Sequence, residues 1–187
     1  MSQAAKTYQQ LIDQYPDNTE GLITPERLRD FVESIRLPYG QVYRVWDHNA
    51  VRVIEDAAFA WTKLGGDTTL AGQVHLMDDD GETDNRLRYT GTITRPFLVI
   101  ARFTGYIDPR QRIHLGVMKN GSDPAANLIA SFDSGGLGEF DSFSVEVSGI
   151  VELGQNDYLE VGVFPRDTTD PDFYAETYSL TTYGLFV

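Results

Sequence analysis

Apolar and polar positions along the chain change period near residue 38. In TPERLRDFVESI, residues 24–35, Leu28, Phe31, Val32 and Ile35 recur at the i, i+3, i+4, i+7 spacing of one helix face. Thr24 suits the cap of this helix and Pro25 its first turn. Pro38 turns the residue before it away from helical angles, so the spacing predicts a helix of about three turns that stops near Arg36. Upstream, Tyr8, Leu11, Ile12 and Tyr15 form a weaker helical stripe, and the turn-forming PDNTEG of residues 16–21 divides the two. A helix of roughly a dozen residues is marginal alone in water, so its apolar stripe needs a surface to dock on.

After residue 38 the period becomes 2. In FSVEVSGIV, Phe143, Val145 and Val147 alternate with Ser144, Glu146 and Ser148; in YLEVGV, Leu159, Val161 and Val163 share one face. Further strands are predicted at 42–46, 51–54, 58–61, 73–77, 86–94, 97–106, 112–118, 127–132 and 178–187. Short strands separated by turn signals predict an antiparallel sandwich or barrel.

Two strands carry apolar residues on both faces. In RPFLVIARFTGY, Phe97, Val99, Ala101 and Phe103 line one face, while Leu98 and Ile100 occupy the other before it turns polar at Arg102 and Thr104. Either a loop of the same chain covers that second face, or another subunit does, since a contiguous exposed apolar patch is uncommon on a monomer. The last strand, YSLTTYGLFV, repeats the pattern, with Leu180 and Phe186 on one face and Tyr183 and Leu185 on the other. Two such strands favour an oligomer.

Composition then narrows the partners. At 187 residues the chain can bury one core plus a small N-terminal arm. A formal net charge of -13 without any basic run excludes charge-driven binding to nucleic acid or an anionic membrane. With 0 cysteines, no disulfide framework, thiolate metal site or cysteine nucleophile is available. MSQAAKTYQQ has no apolar signal core, and no run approaches the roughly 18 apolar residues of a membrane helix, so a soluble chain without an export signal is expected.

The order YTGTITRPFLVIARF, IHLGVMKNGS, FSVEVSGIVELGQNDYLEVGV, YSLTTYGLFV resembles the complement globular-head and tumour-necrosis-factor family of jelly rolls. The matching positions are Gly91, Thr94 and Pro96; Lys119, Asn120 and Gly121; Gly154, Asp157 and Tyr158; and Tyr183, Gly184 and Leu185. The resemblance implies a homotrimer with sheets packed around a three-fold axis. A second resemblance covers other stretches. YPDNTEGLITPERLRDFVESI is similar to the N-terminal segment ahead of β-rich fibre and decoration proteins of tailed bacteriophages, and AFAWTKLGGDTTL with DNRLRYTGTITRPFLVIARF resembles the bodies of such virion proteins.

Catalytic chemistry has no visible carrier. His48, His75 and His114 are far apart, no serine sits in a G-x-S-x-G elbow, and no glycine-rich loop leads into a helix to cradle phosphate. The acidic loops DDDGETD, 78–84, and DTTDPD, 167–172, supply oxygens of the kind calcium uses, but neither has the EF-hand spacing. EGLITPERL imitates an EF-hand exit, yet that register places Pro16 and Arg27 at ligand positions. No cofactor and no required metal are therefore expected, and solvated acidic turns are the plain reading.

Together these observations predict a mainly β fold: an antiparallel jelly-roll sandwich over 38–187, preceded by a short helical N-terminal arm over 1–37. The expected protein is a non-enzymatic, homotrimeric phage virion structural protein. Leu98, Ile100, Tyr158, Tyr183 and Leu185 are the expected trimer interface. Leu28, Phe31, Val32 and Ile35 are the expected anchor to other virion proteins of the capsid or tail. The alternative is a lectin-like head that binds a host surface glycan through Tyr39, Tyr106, Phe173 and Tyr174. Nucleic acid and membrane are not expected partners.

Overall fold

Two antiparallel sheets face each other across the core that the period-2 strands predict. The computed structural model describes residues 26–27, 31–32, 35–45, 51–52, 62–64, 69–70, 74–78, 86–107, 113–121, 128–133, 141–165 and 173–186. The strands are β1 (Tyr39–Val45), β2 (Val51–Arg52), β3 (Thr62–Lys63), β4 (Thr69–Leu70), β5 (Met77–Asp78), β6 (Arg86–Tyr89), β7 (Arg95–Ile107), β8 (Ile113–Lys119), β9 (Leu128–Asp133), β10 (Asp141–Leu153), β11 (Tyr158–Pro165) and β12 (Phe173–Gly184). One sheet runs β10-β7-β12-β1-β4 with β2 beside β12; the other runs β5-β6-β11-β8-β9 with β3 beside β11. The chain crosses repeatedly between the sheets, as in β6-β7-β8 and β9-β10-β11-β12, which makes this a jelly roll rather than a meander.

The alternation in the sequence becomes the core directly. Phe97, Val99, Ala101 and Phe103 of β7 meet Leu159, Val161 and Val163 of β11 and Leu115 and Val117 of β8 in one buried cluster. Val147 of β10 is buried with them, while Ser144, Glu146 and Ser148 point outward. Tyr89 packs edge-on against Phe97, centroids 4.9 Å apart, and its hydroxyl donates to Ile93 O at 2.8 Å. Burial is the main influence on that phenol and raises its pKa despite Arg95, so it remains a donor.

Several expected elements differ in extent. The strand expected over 86–94 ends at Tyr89, because the chain turns through Thr90–Thr94 and the Tyr89 amide is taken by Asp157 O at 2.8 Å. The strand expected over 73–77 is interrupted at Leu76, whose φ of 55° is left-handed; only a bridge from His75 to Tyr39 precedes it and β5 follows. The last strand begins at Phe173 and ends at Gly184, so Phe186 does not share the burial of Leu180 but stands 78% exposed. The strand expected at 58–61 lies outside the described residues.

Upstream of β1, Glu26, Arg27, Phe31, Val32 and Ile35 have helical backbone, and Arg36 N donates to Val32 O at 3.2 Å. Leu28, Thr24 and the weaker stripe of residues 8–15 lie outside the described residues, so the expected arm is seen only in these pieces.

The four sequence motifs prove to be architectural. K-N-G and G-x-x-D-y meet at one end of the second sheet. Lys119 Nζ lies 2.8 Å from Asp157 Oδ2, the Gly154 amide donates to the same oxygen at 2.8 Å, and Asn120 Nδ2 donates to Asp157 Oδ1. Asn120 Oδ1 in turn accepts from the Tyr158 amide at 2.8 Å. Burial by itself would raise the Asp157 carboxyl, but the hydrogen bonds from Lys119, Asn120 and the Gly154 amide, with the Lys119 charge, hold it below its usual range. The left-handed Asn120, Gly121 and Asn156, with φ of 53°, 140° and 69°, shape the turns that bring these groups together. At one end of the first sheet's central strands, Gly184 N donates to Pro38 O at 2.7 Å and Leu185 N to Pro96 O at 2.9 Å.

Candidate functional site

Strand register turns the two-faced sequence pattern into a surface. Leu98 on β7 is opposite Ile150 on β10 and opposite Tyr183 on β12, and Tyr183 is opposite Tyr39 on β1. Paired residues share a face, so Ile150, Leu98, Tyr183 and Tyr39 form one row across four strands, on the side of the first sheet away from the core. Ile150 is 67% exposed and Tyr183 47%, while Leu98 and Tyr39 are part-buried. Leu37, Pro38, Tyr39, Tyr183 and Gly184 line an apolar depression at the end of this belt.

The next rows become polar. Ser148, Ile100, Thr181 and Gln41 form the second row, and Glu146, Arg102, Ser179 and Tyr43 the third. Arg102 Nε donates to Glu146 Oε2 at 2.7 Å in the open. Thr104 and Thr177 hydroxyls bond at 2.7 Å in the row beyond.

The expected interface residues are thus partly assembled. Leu98 and Tyr183 belong to the belt, Ile100 lies one row above it, and Leu185 follows β12 at the same end. Tyr158 does not join them: it lies on β11 of the other sheet, with the Arg86 guanidinium carbon 4.1 Å from its ring centre. Sequence reasoning missed Ile150, although an apolar residue in the polar phase of SVEVSGI is a signal. Of the expected anchor, Phe31, Val32 and Ile35 are exposed and Leu28 lies outside the described residues.

For metals and catalysis the described residues offer little. Among them no three His, Asp or Glu side chains gather as a metal site. Of the loop 78–84 only Asp78 is described, 3.5 Å from Arg88; the loop 167–172 lies outside the described residues. No helix among the described residues is long and apolar enough to cross a membrane. The belt can bury apolar area against a matching surface, at roughly 25 cal/mol per Å².

No protein-family profile matches the chain and no curated protein sequence matches it. Solved structures do. Murine APRIL at pH 8.0 aligns with a TM-score of 0.50 at 11% identity, covering 79% of this chain and 99% of that one. Murine APRIL at pH 5.0 gives 0.50 at 10% identity with the same coverage of 79% and 99%. The globular domain of zebrafish complement 1qA gives 0.48 at 14% identity, covering 81% and 98%. At such identities the likeness concerns the fold alone: the strand order above is that of a jelly roll, and the domain is folded like murine APRIL.

Proposed function

We propose that this chain is a non-enzymatic, homotrimeric structural protein of a tailed-phage virion, assembled in the host cytoplasm, with a jelly-roll head over 38–187 and an attaching arm over 1–37. The belt of Ile150, Leu98, Tyr183 and Tyr39 carries the trimer part of the reading. Fully burying large apolar side chains stabilises by about 1.5–3 kcal/mol each, so three copies that cover their belts gain a substantial driving force. The similarity of the N-terminal stretch to phage fibre and decoration proteins supports the virion role. The exposure of Phe31, Val32 and Ile35 supports the arm as the part that docks on capsid or tail proteins, since one helix face with these spacings is a common groove-binding element.

Light scattering on the full chain tests the assembly: the expected mass is three chains, and Leu98→Asp or Ile100→Asp, which would bury an unpaired charge, should give one. A wild-type monomer would overturn it. Virion attachment is read from particle composition, where Phe31→Asp should abolish loading while the soluble chain stays trimeric. Normal copy number in particles would remove the arm from that role.

A second reading, a host-receptor head that binds surface glycan, is favoured by one observation. Of the four aromatic residues offered for it, Tyr106 and Tyr174 are direct cross-strand partners and Phe173 is adjacent, whereas Tyr39 belongs to the belt.

A further inference from the structure

A β-bulge at the end of the first sheet far from the belt assembles a group that its residue spacing conceals. Tyr106 of β7 is opposite Tyr174 of β12 and opposite Ser142 of β10, so the three form a row on the exposed sheet face. Between Ala175 and Thr177 the register slips by one, which leaves Glu176 without a partner on β7. Ala175 is buried and Thr177 bonds Thr104 on the outer face, so the bulge lets Glu176 turn outward too, where its carboxylate accepts the Tyr106 hydroxyl. Tyr106 is 37% exposed, Ser142 is exposed, and Tyr174 and Glu176 are part-buried. Gly105 makes room for the bulge: a Cβ there would run into the Tyr174 carbonyl oxygen.

We propose that Tyr106, Tyr174, Glu176 and Ser142 form a binding site for a neutral pyranose at the distal end of the head. The inference deepens the receptor-binding reading and rests on it. A sugar ring offers an apolar C–H face and a rim of hydroxyl donors; tyrosine faces match the first and a carboxylate and a serine hydroxyl match the second. Arg52 on β2 is opposite Tyr174 in the same row, so its charge offsets that of Glu176, and the chain's net charge of -13 opposes an anionic sugar, which leaves a neutral one. The site is also well placed. It lies eight residues along β7 from Leu98, about 27 Å at 3.4 Å per residue, while β1 begins at the belt end. All four residues come from one chain, so binding does not depend on the trimer.

The test is calorimetric titration of the full chain with methyl glucoside, methyl galactoside and N-acetylglucosamine, with sialyllactose as the anionic control, and light scattering on the same samples. At least one neutral probe should bind with a dissociation constant of about 1–10 mM. Tyr106→Ala and Glu176→Gln should each weaken it roughly tenfold or more, about 1.4 kcal/mol, and Arg88→Gln on the opposite sheet should not. Tyr106→Phe, which keeps the ring, tests the site should the alanine variant fail to fold, and should weaken binding less than Glu176→Gln. No neutral binding at roughly 50 mM, binding of sialyllactose alone, or binding indifferent to both Tyr106→Phe and Glu176→Gln would overturn the proposal. Glycan binding by a chain of monomer mass would instead overturn the trimer and leave this site standing; a trimer that binds no sugar does the reverse.

Discussion

Lys119, at the end of β8, and Asp157, in the turn before β11, bring their charged ends to 2.8 Å, and the same carboxylate also holds the Gly154 amide and the Asn120 side chain. Lys119 Nζ further donates to Glu152 O at 2.7 Å, which links this turn to the end of β10 in the opposite sheet. The network ties one end of the sandwich together through polar groups.

Replacing Asp157 by Ala should therefore cost more than an ordinary surface change. Three donors lose their acceptor at once, and the expected loss is about 1–3 kcal/mol. At roughly 2–4 °C per kcal/mol for a chain of this size, calorimetry should record a melting temperature lower by several degrees.

The same carboxylate predicts an acid limb. Its folded pKa lies below the ordinary 3.8, so its contribution is fully present above that value and is lost as pH falls through the folded pKa. Urea midpoints measured from pH 6 downward should decline below about pH 4, and Asp157→Asn should flatten part of that decline. An unchanged acid slope in the variant would contradict the assignment.

Two glycines make a contrast. Gly105→Ala drives a methyl group into the backbone oxygen of Tyr174, which cannot move without opening β7 from β12. The expected loss is about 1–3 kcal/mol by equilibrium unfolding. A Cβ at Gly154 would meet only Thr94 Oγ1 at 3.3 Å and Asp157 Oδ2 at 3.6 Å, so Gly154→Ala should be nearly neutral.

Tyr89→Phe keeps the ring against Phe97 and removes the hydroxyl that bonds Ile93 O. It should cost about 1 kcal/mol. Tyr89→Leu should cost more, because the edge-on ring contact goes as well; denaturant midpoints of the two variants measure the difference.

Where side chains alternate strictly, the sequence is readable. Phe143, Val145 and Val147, or Leu159, Val161 and Val163, announce their strands because nothing disturbs period 2. The first half of β12 hides itself for a physical reason. Ala175 is buried, yet after the bulge Tyr178 and Leu180 are the buried residues, so parity flips within a single strand. At the end of β6 the error has the opposite sign: Ile93 looks like a continuing strand residue although it is part of a turn that Tyr89 closes. The belt was half legible. Leu98 and Tyr183 stand out as apolar residues on a second face, but their alignment with Ile150 and Tyr39 depends on pairing between distant strands. Tyr158 illustrates the same limit, since only topology assigns it to the other sheet.

The bond from Gly184 N to Pro38 O has a mechanical consequence. It lies at the outer end of the antiparallel β1–β12 ladder, immediately before the Tyr39–Tyr183 and Gly40–Thr182 pairs. Tension applied between the chain ahead of Pro38 and the chain beyond Gly184 reaches that bond first and then opens the ladder one pair at a time, as a zipper rather than in shear. A pulling experiment with handles at those two places should record a low, gradual yield, whereas handles at the start of β7 and the start of β12, which lie at opposite ends of their shared ladder, load many bonds together in shear and should record a high, abrupt one.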